Sequence, residues 1–342
     1  MKTSHLGLLP LAAMLFAPVA AHAMPVSTLT GERPLVIAHR GASGYLPEES
    51  VQSYQLAIRM GADYIEGDVY LTADNKAVML HDATLNATTN VVAFAATHPE
   101  IAALRSSNGT YDVRRFTLAQ LEQLSVTCRN ANGYCTDKTY FDPAISYSFT
   151  SYDAFLDLAY NHFLETGVAI GVFPEAKQTG LGVAEAILAG LTNAKYNGYF
   201  TTAGRALTQS FNAAQVEYLN TNSSIPVSYL GVCPTTAAGA AAVAAIADGI
   251  GPSASLLSAA CVKAAHDAGM TVTPYTFLNN PASYEAAYNL GVDGVFTNYP
   301  DIAVTARDAV FGPATPVPEP HSLALLGLGL AGIIGLKKRK QA

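Results

Sequence analysis

Between Gly31 and about Phe311, short apolar runs of four to eight residues alternate with longer stretches whose apolar residues recur at helical spacing. "LVIAHRG" leads into "SVQSYQLAIRMG", "VAIGVFPEAK" into "GVAEAILAGL", "ALTQSF" into "NAAQVEYL", and "DGVFTNYP" into "DIAVTARDAV". A strand that is apolar at nearly every residue is buried on both faces, and a parallel sheet covered by helices provides that burial. About eight such units fit a closed (β/α)8 TIM barrel better than an open doubly wound sheet. No glycine-rich nucleotide loop follows the first strand, which also weighs against the open sheet.

One segment breaks the rhythm. Residues 91–150 are rich in polar, Gly, Asn and Tyr residues, with one short helical stretch, "TLAQLEQL", and two of the four cysteines. This predicts an insertion over the barrel mouth after the third strand, "AVMLHD", stapled by a disulfide rather than packed. Four cysteines allow three pairings; the favoured one joins Cys128 to Cys135 across a short loop and Cys233 to Cys261.

Both ends lie outside the repeating pattern. Residues 1–23 carry an early Lys2, an apolar run and the small-residue site Ala21-His22-Ala23, which reads as a secretory signal peptide. Residues 316–342 hold Pro316, Pro318 and Pro320, an apolar run from Leu323 to Leu336, and the basic end Lys337-Lys338-Arg339-Lys340. That run is short for a bilayer span, and the basic cluster fits a stop on the cytoplasmic side. Pro318-Glu319-Pro320 ahead of the run resembles the PEP-CTERM sorting signal. The resemblance implies a membrane-embedded sorting enzyme as a partner, transient anchoring by the tail, and delivery to the periplasm, the cell surface or the outside. The remaining domain, 24–315, has fourteen basic and twenty-five acidic residues. Its charge of about −11 disfavours nucleic acid or an anionic membrane surface as the main partner, so any anion must be held by local cations.

Such cations stand at the strand ends, where a barrel of this kind places its chemistry. His39 and Arg40 end the first strand. Glu66 and Asp68 lie two apart on the second, so both point to one side of it. His81 and Asp82 end the third run, and Glu175 and Lys177 end the next, again two apart. Three carboxylates crowded into one mouth repel each other unless a cation neutralises them. Hard oxygen donors select Ca²⁺ or Mg²⁺ over zinc, with Ca²⁺ favoured. Two histidines beside that ion can exchange protons near neutral pH, while Arg40 and Lys177 can hold a phosphate oxygen.

The same residues carry a family resemblance. "HRGASGYLPEES", "YIEGDVYLTADNKAVMLHDATLNATT", "PEAK", Ser210-Phe211, "PYTFLN" and "GVFTNYPD", in that order, resemble the glycerophosphodiester phosphodiesterase family. The resemblance implies a divalent cation on Glu66, Asp68 and Glu175 and an acid/base pair in His39 and His81. Substrate contacts would come from Arg40, Lys177, Glu48 and Tyr275. The implied reaction is hydrolysis of a glycerophosphodiester to glycerol 3-phosphate and an alcohol. Three positions depart from the family pattern: Glu49 replaces an asparagine, Ala87 an arginine, and Tyr275 a tryptophan. The alternatives are a phospholipase D-like or sphingomyelinase D-like enzyme on the same barrel, and a non-catalytic surface binding protein.

Overall fold

The computed structural model describes residues 27–313. The expected signal peptide and sorting tail lie outside the described residues. Eleven strands are present among the described residues: β1 Leu35–His39, β2 Tyr64–Leu71, β3 Ala77–Met79, β4 Ser125–Val126, β5 Tyr147–Ser148, β6 Gly171–Ala176, β7 Thr208–Ser210, β8 Val227–Leu230, β9 Gly249–Gly251, β10 Thr271–Val272 and β11 Gly294–Thr297. Eight of them form a parallel sheet in the order β10-β9-β8-β7-β6-β2-β1-β11. The ring closes through backbone hydrogen bonds, from Asp293 N–H to the Val272 carbonyl (2.8 Å) and from Phe296 N–H to the Pro274 carbonyl (3.0 Å). This is the TIM barrel expected from the alternating pattern.

The third apolar run departs from expectation. β3 pairs antiparallel with β2, with Val69 opposite Met79, and lies off the barrel path. The connection explains it. Residues Thr72 to Lys76 form a tight turn, closed by the Thr72 N–H to Lys76 carbonyl bond (2.9 Å) with Asn75 in the left-handed region (φ 56). A parallel return needs a crossover of about a dozen residues, whereas so short a link permits only a hairpin. The strand bearing Glu175 is therefore the third stave of the barrel.

Inside the barrel the pleat sorts the residues. Ile37, Tyr64, Phe173 and Phe296 form a buried apolar plug. Moving two residues along their strands from the first three reaches His39, Glu66 and Glu175, which therefore sit on the same inner face, nearer the mouth. Gly67 faces the opposite side. A Cβ there would lie 2.2 Å from the Tyr54 hydroxyl and 2.5 Å from Met79 Cε, so only glycine allows this close approach. Tyr54 belongs to the helix Val51–Arg59, which starts at Ser50; the Ser50 side chain accepts from Ser53 N–H.

The insertion is packed as well as stapled, which corrects the sequence-based expectation. Val91, Ile101, Val113, Phe116, Leu121 and Leu124 are buried within the same apolar core as Tyr54 and Phe155. Polar composition hid this core because its apolar residues are spread over many short elements. Both expected disulfides are present, Cys128–Cys135 and Cys233–Cys261, with sequence separations of 7 and 28. No helix among the described residues is long and apolar enough to cross a membrane.

Loop entropy ranks the two bridges. Cys233→Ser with Cys261→Ser is expected to cost about 3–4 kcal/mol, and Cys128→Ser with Cys135→Ser about 2–3 kcal/mol. Denaturant melts measure both. Proteolysis of the second variant is expected to spare residues 91–126, because buried side chains hold that segment; cleavage there would contradict a packed insertion.

Candidate active site

Strand register brings the acidic groups together. His39 on β1 pairs with Glu66 on β2, Asp68 on β2 with Glu175 on β6, and Glu175 with Gln209 on β7. One carboxylate oxygen each from Glu66, Asp68 and Glu175 lies within 4.8 Å of the others, the one such grouping among the described residues. All three residues are buried, Glu66 and Asp68 at 1% exposure. Above them opens a cleft of about 170 Å³, lined among others by His39, Arg40, His81, Lys177 and Tyr275.

Each carboxylate is held differently. Glu66 accepts from the Arg40 backbone N–H (2.9 Å) and from Gln209 Nε2 (3.0 Å). Lys177 Nζ lies 3.2 Å from Glu175 Oε1 and 3.6 Å from Asp68 Oδ1. Arg40 Nε lies 3.0 Å from Asp68 Oδ2, too poorly aligned for a hydrogen bond, which leaves that buried oxygen without a hydrogen-bond partner. Burial, then the Asp68 charge, pushes Glu66 well above the usual carboxylate range. The same causes take Glu175 up to about 8, against the pull of Lys177. Burial opposes the charge of Asp68 as well, but Lys177, Arg40 and His81 hold it well below its ordinary value. A buried trio of acids that cannot all ionise, with one orphaned oxygen, has the chemistry of a hard-cation site.

The histidines are fixed at Nδ1. His39 Nδ1 lies 2.7 Å from Asn298 Oδ1. Asn298 Nδ2 donates to the Gly133 carbonyl at 2.7 Å, which orients the amide so that its oxygen faces the ring. Nδ1 therefore carries the proton, and Nε2 is the free base. Burial, reinforced by Arg40, lowers the His39 pKa well below the ordinary imidazole value, keeping it neutral. His81 Nδ1 lies 2.7 Å from Asp82 Oδ1. The hydrogen bond from His81 and the pairing with Arg129 outweigh partial burial and hold Asp82 ionised, far below the usual range. His81 thus donates from Nδ1, which leaves Nε2 as its other ring nitrogen.

Comparison with known proteins identifies the family. The model of the glycerophosphoryl diester phosphodiesterase family matches residues 39–302. The chain belongs to that family. It is a phosphoric diester hydrolase, a glycerophosphodiester phosphodiesterase by class. A glycerophosphodiester phosphodiesterase of Bacillus subtilis is 29% identical over 306 residues, covering 86% of this chain and 93% of that protein. Among solved structures, an Oleispira antarctica phosphodiesterase in complex with the product sn-glycerol-3-phosphate aligns with a TM-score of 0.61 at 22% identity, over 82% of this chain and 100% of that one. A glycerophosphodiester phosphodiesterase of Agrobacterium tumefaciens aligns with a TM-score of 0.57 at 21% identity, over 79% and 98% of the two chains. A PEP-CTERM protein-sorting motif matches residues 316–340.

The phosphodiesterase cleft gathers most of the residues singled out from sequence. His39, Arg40, Glu66, His81, Glu175, Lys177 and Tyr275 line it, and Asp68 lies directly behind. Glu48 is placed elsewhere. Both its oxygens are occupied by Arg40 Nη1 (3.0 Å) and by Arg129 Nε and Nη2 (2.8 Å each), so it holds the cations rather than facing the cleft. Glu49, the departure from the family asparagine, is buried at φ 61. Its Oε1 accepts the Asp68 N–H at 3.0 Å, and Oε2 accepts from Tyr54. Burial, then Asp68 and Glu66, raises its pKa well above the usual range, which favours its protonated form. Sequence reading missed Gln209, Arg129, and the part Asn298 plays. Only Asn298 had a signal, inside "GVFTNYPD". Ala87 brings no cation, but Arg129 from the insertion does.

The raised Glu175 value carries a sign. An acid whose folded-state pKa (about 8) exceeds its ordinary 4.5 stabilises the fold below 4.5, and that stabilisation is lost as pH rises toward 8. Melting of the chelator-treated protein is therefore expected to drop by several degrees between about pH 5 and pH 8. Saturating Ca²⁺ is expected to flatten the slope, and Glu175→Gln to reduce it. A flat chelated profile would contradict the shift. Because burial favours the uncharged form of Glu49, Glu49→Gln is expected to keep turnover within roughly threefold, whereas Glu49→Ala loses about 1–3 kcal/mol of stability through the stranded Asp68 N–H.

Proposed function

We propose that this chain is an exported hydrolase that converts glycerophosphodiesters to glycerol 3-phosphate and an alcohol with His39 and His81 as its acid/base pair. The observation that carries the reading is the pair of imidazoles facing one cleft, each fixed at Nδ1 by its own acceptor. Arg40 and Lys177, both on the cleft wall, bind and orient the phosphodiester. His39, neutral with Nε2 unprotonated, takes the proton of the glycerol 2-hydroxyl as that oxygen attacks phosphorus. His81, backed by the Asp82 carboxylate, delivers a proton to the departing alcohol oxygen. The resulting cyclic phosphate is opened by water with the two roles reversed.

Glu66, Asp68 and Glu175 would hold a divalent cation, Ca²⁺ in preference and Mg²⁺ as the alternative. When bound, that ion supplies charge that keeps the three carboxylates ionised and polarises a phosphoryl oxygen. Tyr275, which lines the cleft edge-on to Phe211 (5.7 Å), shapes the side of the cleft that receives the alcohol group. The relatives named as glycerophosphodiester phosphodiesterases, and the neighbour holding sn-glycerol-3-phosphate, support this substrate class.

The expected signal peptide and the sorting motif support export, with the tail as a transient anchor before a sorting enzyme acts on it. Two disulfides that use all four cysteines fit an oxidising compartment such as the periplasm or cell surface. The purified protein is expected to hydrolyse glycerophosphocholine in preference to sphingomyelin, to lose activity in EDTA and to regain it with Ca²⁺ or Mg²⁺. His39→Ala and His81→Ala are each expected to lower kcat by about 10²- to 10⁴-fold. Near-normal turnover in either variant removes that histidine from the mechanism, and sphingomyelin as the better substrate would favour the sphingomyelinase D-like alternative.

A further inference from the structure

Both histidines end on the same eight-residue loop, although they come from different parts of the barrel. On one side, His39 is held by Asn298, and Asn298 is held by the backbone carbonyl of Gly133 (2.7 Å). On the other, His81 is held by Asp82, and Asp82 accepts from Arg129 Nη1 (2.8 Å). Gly133 and Arg129 both lie within the loop closed by Cys128–Cys135. Arg129 also grips Glu48 with two parallel bonds, and Glu48 in turn accepts from Arg40. Between these arms stands Tyr134, its ring 5.4 Å from the Arg40 guanidinium carbon, 5.7 Å from that of Arg129 and 6.4 Å from the His39 ring.

The loop itself is clamped at its end. Cys135 sits in the left-handed region (φ 47), unusual for a residue with a side chain, and donates its N–H to the Ser43 carbonyl at 2.8 Å. Ser43 Oγ in turn donates to the His39 carbonyl (2.7 Å). An anchor serving only to dock the insertion has no reason to spend its contacts on the side chains that orient His39, His81 and Arg40. We propose that the Cys128–Cys135 loop is a shared positioning element, with Arg129 and Gly133 setting the two imidazoles relative to each other and the disulfide keeping the loop in that shape. None of these loop residues is catalytic; they act through Asn298, Asp82 and Glu48. The inference rests on the proposed roles of His39 and His81.

The test compares two disulfide deletions in the full-length chain with glycerophosphocholine as substrate. Cys128→Ser with Cys135→Ser is expected to lower kcat at least tenfold while KM stays within about twofold, since sub-ångström misplacement of reacting groups costs rate rather than affinity. Cys233→Ser with Cys261→Ser, which closes the larger loop and costs more stability, is expected to keep kcat within about twofold at a temperature where both variants are folded. Arg129→Lys leaves the disulfide intact but cannot fork between Glu48 and Asp82; it is expected to lower kcat at least tenfold as well. Turnover within twofold of the unaltered protein in the first variant or in Arg129→Lys overturns the proposal, as does a kcat loss that follows melting temperature across both disulfide variants. His39→Ala and His81→Ala run alongside separate the two failures. Inactive histidine variants with an active loop variant defeat only the loop inference, whereas active histidine variants defeat the underlying reading.

Discussion

Glu66, Asp68 and Glu175 share a space from which water is largely excluded, and their mutual repulsion organises the groups around them. In a low-dielectric setting such a set must take up protons, gather cations, or both. The structure shows both responses. Glu66 and Glu175 are driven toward the protonated form, while Asp68 stays ionised because Lys177 and Arg40 converge on it. Arg40 is shared between Asp68 and Glu48, and Glu48 between Arg40 and Arg129, so the charges alternate outward from the trio. The cations at the cleft wall are held in place by this alternation.

The insertion takes part in that alternation. Its Arg129 closes the charge chain, its Tyr134 covers two guanidinium groups, and its Gly133 carbonyl fixes the amide that fixes His39. Its apolar residues merge with the helix-side core, which gives the loop a firm base. A barrel stave can aim a side chain but cannot reach across the mouth; a packed insertion with a short disulfide loop can. Disulfides form and persist in oxidising compartments, so the loop's bridge fits the export proposed from the sorting motif.

The fold was legible because its signal is local and repeated. Apolar strands alternating with amphipathic helices admit few arrangements, and strand-end polar residues in a barrel point to one face. The site was legible in part for the same reason: Glu66 with Asp68, and Glu175 with Lys177, lie two apart on strands. The hairpin nature of β3 could have been read from the short, turn-rich link Thr72–Lys76. The core of the insertion could not, since its apolar residues follow no single period.

The sequence by itself determined the barrel, the acidic pairs, the two histidines and the family to which they belong. Tertiary structure alone decided that Glu48 pairs with Arg40 and Arg129, that Glu49 is buried against Tyr54, and that Arg129, Gln209 and Asn298 are brought to the site. The reason is distance along the chain. Periodicity reports which residues share a face of one element, but Arg129 lies 81 residues from Glu48 and Asn298 lies 259 from His39. Contacts of that separation are set by strand register and loop packing, which no local pattern encodes.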